Sequence, residues 1–410
     1  MVSLVTGTPA STTPSRARSI AAFMGPAFVV AVAYVDPGNF ATNMAGGAGY
    51  GYLLLWVIVS ASLMAMFVQY LSAKLGIVTG QSLPALCREH CPRPVTGALW
   101  VQAELVTMAT DLAEFVGAAV ALNLLFDIPL LPAAGITAVV SFAILVLQPT
   151  RRRRFESVII GLLAIVLAGF LYQVLRLGPL TEAGSGLLPG FAGTDSVLLA
   201  AGMLGATVMP HVIYLHSALN QRQEPAAVPR ALRSTRLDIG VALGIAGLVN
   251  ISMLVVAADA LHGTGLPADS LEDMHGGLGT VLGGGAAVAF ALALLASGLA
   301  ASSVGTYSGQ VVMAGFLRRR IPLATRRLVT MAPALLVLAS GVDPTRALVL
   351  SQVVLSFGIP FALVPLVWLT RRRDVMGRFT NGTFTTTCGV TVAAIVSALN
   401  VFLLVRTFLA

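Results

Sequence analysis

Apolar stretches of membrane-spanning length recur along this chain, separated by short polar segments. A transmembrane helix requires about 20 predominantly apolar residues. Eleven candidate spans lie near residues 22–45, 51–77, 95–126, 128–148, 155–176, 194–220, 237–261, 279–316, 328–342, 346–369 and 385–408, and all but 328–342 reach this length. The polar segments between them are too short to contain a soluble domain. The pattern therefore predicts an all-α polytopic membrane protein with eleven transmembrane helices.

The first and the sixth of these spans are interrupted by helix-breaking residues. The first contains Asp-Pro-Gly-Asn at residues 36–39, and the sixth contains Met-Pro-His at residues 209–211. Proline lacks a backbone donor and clashes with the preceding turn, so each span should divide into two half-helices. Unwound backbone persists within a bilayer only where protein buries it or water lines it. Interruptions at matching positions of two halves indicate the binding site of a secondary transporter.

The positions of the interruptions also predict how the chain is organised. Each lies in the first span of a five-span block, and because five is odd the second block enters the membrane from the opposite side. This predicts an inverted repeat, about residues 19–178 and 190–372, within one transporter core of residues 19–372. Residues 1–18 are expected to be a disordered cytoplasmic tail, and residues 373–410 a loop with the eleventh helix.

Composition and charge support the membrane interpretation. The 410 residues are 57% hydrophobic and 10% charged, far from the quarter charged that is typical of soluble domains. Arginines cluster in alternate polar segments, as at residues 151–154, 318–320 and 371–373. Short cytoplasmic loops accumulate such residues, so we expect a multi-pass protein of a bacterial plasma membrane with its amino terminus inside and its carboxyl terminus outside. The net charge of +8 then requires no nucleic acid partner.

The two interruptions carry groups that bind metal ions. Asp36 offers a carboxylate and Asn39 an amide oxygen, while unwinding frees carbonyls near Ala33. In the sixth span Met209 offers a thioether and Ala206 a freed carbonyl. A soft sulfur ligand adds little for Mg²⁺ or Ca²⁺ and favours later transition metals. The mixture of oxygen and sulfur predicts a site for Mn²⁺, Fe²⁺, Co²⁺, Ni²⁺ or Cd²⁺.

These motifs resemble those of the Nramp family, the natural resistance-associated macrophage proteins, which are proton-coupled divalent metal transporters. The matching stretches are residues 36–39, 209–211, 215–217, 305–310 and 351–352. The resemblance implies a leucine-transporter-like fold and import of Mn²⁺, with Fe²⁺, Co²⁺ and Cd²⁺, by alternating access. Some relatives that carry Mg²⁺ or Al³⁺ lack the methionine, and its presence here places the chain with the transition-metal branch.

The resemblance also implies a ligand set for the transported metal. Its main members are the side chains of Asp36, Asn39 and Met209 with the carbonyl of Ala206. The carbonyl of Ala33 and the side chain of Gln352 join them in particular conformations.

Three acids of the third span form a second group of candidate residues. At about 100° per residue, Glu104, Asp111 and Glu114 share one face of an apolar helix. Ionisable groups inside a membrane often mark proton relays, although a buried ion-pair network that only fixes packing is the alternative. The resemblance implies a proton route through such acids, a histidine of the sixth span and arginines of the ninth. In this chain these groups are Asp36, His211, Glu114, Asp111, Arg327, Arg326 and Glu104.

Other polar residues within the spans are interpreted as structural. Asn250 is expected to be satisfied by neighbouring backbone, and Asp238 to be an acid at the start of its own helix. The small residues of positions 296–303 are expected to permit close helix packing, with a sodium site there as the alternative.

Two other functions compete with metal transport. An amino-acid symporter of the same fold would bind a substrate carboxylate at the half-helix ends, but Asp36 would repel it. A polytopic membrane enzyme is the other alternative, and the sequence contains neither an H-E-x-x-H zinc motif nor a G-x-S-x-G nucleophile motif. We expect a transporter rather than an enzyme, with no resident cofactor. The expected partners are divalent metal ions, protons and the lipid bilayer, with no obligatory protein partner.

Overall fold

The computed structural model describes residues 25–150, 152–180, 182–220, 223–319 and 321–409. Within them the regular elements are α1 (Pro26–Ala33), α2 (Pro37–Tyr50), α3 (Leu55–Thr79), α4 (Leu83–His90), α5 (Arg93–Phe126), α6 (Leu130–Thr150), α7 (Arg152–Val174), α8 (Thr194–Thr207), α9 (Pro210–Leu219), α10 (Val228–Ala260), α11 (Leu271–Leu282), α12 (Gly284–Leu317), α13 (Leu323–Ala339), α14 (Pro344–Thr370), α15 (Arg373–Met376) and α16 (Thr383–Leu409), with 3₁₀ turns at Ala183–Leu187 and Gly377–Phe379. The predicted tail, residues 1–18, lies outside the described residues.

The predicted all-α membrane architecture is confirmed. Eight predicted spans correspond to helices that are long and apolar enough to cross a membrane. The other three are the first span, which is α1 followed by α2, the fourth, which is α6, and the ninth, which is α13. The sixth span is likewise divided, into α8 and α9. Both predicted interruptions are therefore present at the predicted positions.

One predicted span joined two separate helices. The stretch at 279–316 overlaps the end of α11 and nearly all of α12, which are separated at Gly283 with φ +94°. An L side chain rarely adopts this φ, so a glycine here ends one helix and starts the next. The polar segments also contain helices that apolar length cannot reveal. Ser82 caps α4, and Ser270 with Asp273 forms a capping box at the start of α11.

The third, sixth and eighth spans form the centre of the molecule. In their most apolar 18-residue windows 78%, 89% and 72% of the residues are buried, against 22% for the eleventh span. α5 packs along α12, and α14 packs against both α8 and α5. The eleventh span therefore lies at the periphery, as its predicted position outside the repeat suggests, and the sixth span, one of the two broken spans, is among the most buried.

Asn250 and Asp238 correct the sequence interpretation, because both contact the broken first span. The side-chain amide of Asn250 donates to the Tyr34 carbonyl at 2.7 Å, and its oxygen accepts from Asn43 at 3.0 Å. Asp238 lies well inside α10 and accepts hydrogen bonds from the backbone amides of Gly25 and Ala27, each at 3.1 Å. It therefore caps the amino terminus of α1, whose own N-cap, a glycine, has no side chain to do so.

We predict that Asn250→Ala destabilises the protein by ~2–4 kcal/mol, because a buried carbonyl on one side of the break and a buried amide on the other lose their partner. The midpoint of thermal unfolding of the purified protein in detergent would measure this. Ser252→Ala is the matched control, since the exposed Ser252 hydroxyl of the same helix donates only to its own backbone. Equal midpoints for the two variants would contradict the bridging role of Asn250.

Candidate metal site

In both interruptions a proline lies four residues after an alanine, and this spacing frees the alanine carbonyl. In an α-helix the carbonyl of residue i accepts from the amide of residue i+4. Four residues after Ala33 is Pro37, and four residues after Ala206 is Pro210. Neither proline has an N–H, so both alanine carbonyls lose their helical donor. The two halves of the chain thus present an unpartnered carbonyl at the end of a half-helix in the same way.

Asp36 occupies the first interruption as the N-cap of α2. Its Oδ1 accepts from the backbone amide of Asn39 at 2.8 Å, and the Asp36 amide lies 3.3 Å from Asn39 Oδ1, which forms a capping box. Pro37 is the first residue of α2, the position where its missing donor costs nothing. The sequence thus places a carboxylate at a buried helix amino terminus, where the helix dipole favours negative charge.

Met209 occupies the equivalent place in the second interruption. It is the N-cap of α9, with extended backbone at φ −78° and ψ 119°, and Pro210 follows as the first helical residue. α8 ends at Thr207. The hydroxyl oxygen of Thr207 lies 3.5 Å from Asn39 Nδ2. The two interruptions are therefore in contact across the interior of the molecule.

The Asn39 amide group joins the two interruptions. One end of it lies 2.7 Å from Asp36 Oδ1 and 3.2 Å from the carbonyl oxygen of Ala206. When the NH₂ group occupies this end, it donates to both oxygens, and the Asp36 amide loses its acceptor on Asn39. When the amide oxygen occupies it, three oxygen atoms face one another, an arrangement that a cation stabilises. Asp36, Asn39 and Ala206 are thereby brought together.

Gln352 of the tenth span lies directly against both interruptions. Its side-chain amide fills the space that a Cβ on Gly38 would take, and its main-chain carbonyl fills the corresponding space at Gly205. Only glycine at these two positions allows α14 to pack so closely on α2 and α8. The structure thus places the Gln352 amide beside the first turn of α2, next to Asn39.

The candidate ligands are fully enclosed. Asp36, Asn39, Ala206, Met209 and Gln352 are each 0% exposed, and Ala33 is 1% exposed. Asp36 Oδ2 and Gln352 Oε1 are buried oxygens without a hydrogen-bond partner, which is costly unless another group satisfies them. Among the described residues no cluster of three or more His, Cys, Asp and Glu side chains is present. Among the candidate ligands Asp36 supplies the one carboxylate, and the others offer neutral oxygen or sulfur.

Serines of the eighth span donate to backbone carbonyls at the first interruption and just after the second. Ser297 donates to the Val35 carbonyl at 2.5 Å, and Ser308 donates to the His211 carbonyl at 2.5 Å. The interpretation of residues 296–303 as packing alone is therefore incomplete, since one of them holds the first interruption. Sequence reasoning missed this role because a serine between small residues carries no signal of its distant partner.

The acids of the third span lie beside the first interruption. Gly117 of this span packs on Pro37, and the Glu114 carboxylate lies 2.8–3.2 Å from the position of a Cβ on Gly305. Asp111 and Glu114 are 0% and 1% exposed. Both oxygens of Asp111 and Oε2 of Glu114 lack hydrogen-bond partners. Two buried carboxyl groups with unpartnered oxygens thus lie near the site.

The two arginines of the ninth span are engaged differently. Arg326 forms a two-pronged ion pair with Glu104, at 3.0 and 3.3 Å. Arg327 donates to the Ser302 carbonyl at 2.9 Å and to the Thr306 hydroxyl, and its guanidinium lies 4.5 Å from the Phe115 ring centre. Among the described residues Arg327 forms no ion pair within 4.0 Å. Neutral groups therefore hold Arg327 in place, and the ring that covers it belongs to the residue after Glu114.

His211 is buried just after the second interruption. Its Nδ1 lies 3.2 Å from the hydroxyl of Thr110, the residue before Asp111, while its Nε2 has no hydrogen-bond partner. The third and sixth spans thus meet at this histidine. His211, Asp111 and Glu114 thus lie close to the candidate site.

Two divided spans that meet inside the molecule at buried oxygen groups are typical of a transporter with discontinuous helices. The family model described as natural resistance-associated macrophage protein-like matches residues 27–406. This chain therefore belongs to the Nramp family.

Individual relatives agree with this assignment. The divalent metal cation transporter MntH of Bacillus subtilis (strain 168) is 51% identical over 397 residues, 95% of this chain and 93% of that protein. A crystal structure of a mutant of the Eremococcus coleocola manganese transporter superposes with a TM-score of 0.84 at 34% identity, covering 96% of this chain and 88% of that one. Mhp1, a nucleobase-cation-symport-1 family transporter, superposes at 0.63 with 17% identity, covering 93% and 87%. The last likeness shows the fold alone, and the predicted leucine-transporter-like fold is confirmed.

We predict that Gly38→Ala destabilises the protein by ~1–3 kcal/mol, because its methyl group overlaps the Gln352 amide in a closely packed interior. Gly49→Ala in the same helix meets open space and should leave stability unchanged or raise it. Thermal unfolding in detergent measures both. The double variant Gly38→Ala/Gln352→Ser should recover most of the loss, and a double variant no more stable than Gly38→Ala would show that the overlap is not the cause.

Proposed function

We propose that this protein imports divalent transition metal ions into a bacterial cytoplasm, with Mn²⁺ as the principal substrate and Fe²⁺, Co²⁺ and Cd²⁺ as further substrates. Membership of the Nramp family supports the proposal, as do relatives named for divalent metal cations and for manganese. The observation that carries it is the enclosed meeting of the two interruptions, where Asp36 and Met209 stand as N-caps of the half-helices α2 and α9.

The proposed ligands are the carboxylate of Asp36, the amide oxygen of Asn39, the carbonyl of Ala206 and the sulfur of Met209. One end of the Asn39 amide lies within 3.2 Å of both other oxygens, close enough for one ion to replace these contacts. Because Asp36 supplies the only carboxylate, the ion retains part of its charge at the site. The carbonyl of Ala33 and the amide oxygen of Gln352, an unpartnered buried acceptor, are proposed to join as the half-helices move.

Met209 is proposed to select against Mg²⁺ and Ca²⁺. These hard ions exchange water for oxygen ligands and gain little from a thioether, whereas Mn²⁺ and Fe²⁺ tolerate sulfur. A buried sulfur that replaces a water molecule therefore penalises the abundant hard ions.

Metal entry is proposed to be coupled to proton entry. The two positive charges of an arriving ion favour the ionised form of Asp36, so a protonated Asp36 releases its proton as the metal binds. His211, Asp111 and Glu114 lie beside the site and supply buried proton acceptors. Arg327, Arg326 and Glu104 continue the route, with the Phe115 ring against Arg327. Protons and metal would thus leave by different routes.

The proposed orientation follows the arginine clusters, with the amino terminus cytoplasmic and the carboxyl terminus outside. No resident cofactor and no obligatory protein partner are required by this mechanism, because the metal is cargo and the site lies within one chain.

Uptake of Mn²⁺ into proteoliposomes containing the purified protein tests the function. We predict uptake that increases when the outside pH is lowered and falls at least ~100-fold in Asp36→Asn, which removes the only carboxylate ligand while keeping its shape. Asp195→Asn changes an exposed acid at the start of α8. It is the control and should transport normally.

The same assay tests selectivity. Met209→Ala should newly admit Ca²⁺ or Mg²⁺, whereas Met203→Ala, which changes a buried methionine of the same span, should not. Wild-type protein that moves no divalent metal under any gradient would refute the proposal.

The proton route makes a separate prediction. In Asp111→Asn and Glu114→Gln we expect proton entry per Mn²⁺ to fall ~10-fold or more, the contribution of one positioned acid or base being about 10²–10⁴ in rate. A pH-sensitive dye inside the vesicles and Mn²⁺ uptake, recorded in parallel, separate the two fluxes. Asp127→Asn, at the end of the same helix, should leave both unchanged. Normal coupling in both variants would remove the third span from the mechanism.

A further inference from the structure

Four cations meet at one corner of the molecule on the side that the arginine clusters assign to the cytoplasm. Lys74 lies near the end of α3, Arg236 lies in the first part of α10, and Arg373 and Arg378 lie in the segment between α14 and α16. Arg236 donates to the Tyr70 hydroxyl at 2.8 Å and stacks on the Tyr70 ring. No acid pairs with any of these four cations among the described residues. The corner therefore carries uncompensated positive charge.

Lys74 is the most informative of these cations because it is buried. It is only 8% exposed, and its ammonium group donates to Asn381 Oδ1 at 2.7 Å, a neutral acceptor. A buried ammonium without a counter-ion is unfavourable unless a nearby anion compensates it. The Asn381 side chain is fixed in turn by its bond to the Thr370 hydroxyl at 2.8 Å. Lys74 and Asn381 thus form a rigid, electropositive support.

A cavity of about 400 Å³ opens beside Asn381. Its lining consists of Arg373, Gly377, Arg378, Thr380 and Asn381. Arg378 uses one guanidinium N–H to donate to the Pro225 carbonyl at 2.7 Å, and Arg373 has no side-chain partner among the described residues. The Thr380 hydroxyl already donates to the Gly377 carbonyl at 2.5 Å. The available donors are therefore the two guanidinium groups, which pair strongly with phosphate, and the second N–H of the Asn381 amide.

The one acid of this segment does not neutralise the cavity. Asp374 forms its ion pair with Arg372, which also stacks on Trp368. Arg373 and Arg378 therefore remain available to an external anion.

Exposed apolar side chains follow the cavity along the chain, on α16. Phe384, three residues after Asn381, is 82% exposed at the start of α16. Val390, Ile395 and Val401 of the same helix are each more than half exposed. A ligand that combines an anionic group at the cavity with apolar chains along α16 matches both features, and basic pockets at the cytoplasmic ends of transmembrane helices bind anionic lipid headgroups.

We propose that this cavity is a binding site for an anionic phospholipid of the cytoplasmic leaflet. Arg373 and Arg378 hold the phosphate group, Asn381 donates to one of its oxygens through the amide N–H that Thr370 does not use, and Lys74 supplies further positive charge. The acyl chains lie along the exposed face of α16 that begins at Phe384. The site joins the segment after the tenth span to the start of the seventh span, through Arg378 and Pro225.

Titration of the purified full-length protein in an uncharged detergent tests the proposal, with binding measured by calorimetry. The probes are dihexanoyl phosphatidylglycerol, dihexanoyl phosphatidylcholine and inorganic phosphate. The first two share acyl chains and differ in charge, and the third is the anion alone. We expect phosphatidylglycerol to bind at least ~10-fold more tightly than either of the others, and Arg373→Gln/Arg378→Gln to weaken it about thirtyfold, the effect of two charges near a membrane surface.

Arg233→Gln/Arg319→Gln is the matched control, since it removes two exposed arginines from the same side of the molecule and leaves the cavity intact. It should bind phosphatidylglycerol as the wild type does. Arg373→Lys/Arg378→Lys keeps the charge and should retain most of the binding, which separates loss of charge from misfolding. Equal binding of the two lipids, equal binding of inorganic phosphate, or unchanged binding in the Arg373→Gln/Arg378→Gln variant would each overturn the proposal.

Discussion

A bilayer offers no hydrogen-bond partners to a helix that unwinds inside it, and the architecture around the site follows from this constraint. The first interruption exposes the carbonyls of Tyr34 and Val35, and the second disturbs the backbone around His211. Asn250, Ser297 and Ser308 supply the donors from the seventh and eighth spans. The carbonyls of Ala33 and Ala206 are the exceptions, because the proline four residues later removes their donors. Other spans thus supply hydrogen-bond donors to the backbone that supports the site. The two carbonyls proposed to bind the substrate are left without a helical donor.

The structure around the site also requires that the helices approach one another closely. Glycines at positions 38, 205, 117 and 305 allow the tenth, third and eighth spans to contact the interruptions and one another without intervening side chains. A Cβ at any of them would meet the Gln352 backbone or side chain, Pro37 or the Glu114 carboxylate. Packing and function are therefore not separable here, because the residues that fill the space beside each glycine are those of the candidate site and proton route.

The sequence predicted the parts of this structure that depend on local chemistry. The spans follow from apolar length, the divisions from Pro37 and Pro210, and the candidate ligands from their positions beside those prolines. It did not predict the roles of Asn250, Asp238 and Ser297, since each acts on backbone about 200 or more residues away.

Two further features were missed for related reasons. The separation of α11 from α12 at Gly283 escaped notice because an apolar run does not reveal a residue with positive φ. Arg327 has neutral partners from two other spans, which include Ser302 and the Phe115 ring. Residue types alone suggested only acidic partners for this arginine, because its charge is opposite to theirs.

α1 contains only eight residues, fewer than the roughly 12–15 at which an isolated helix becomes marginally stable in water. Its amino terminus is held by one carboxylate, that of Asp238, more than 200 residues later in the chain. The half-helix is therefore stabilised by a distant side chain at its amino terminus as well as by the burial of its own residues. A displacement of α10 at Asp238 would be transmitted directly to the start of the half-helix that leads to the first interruption.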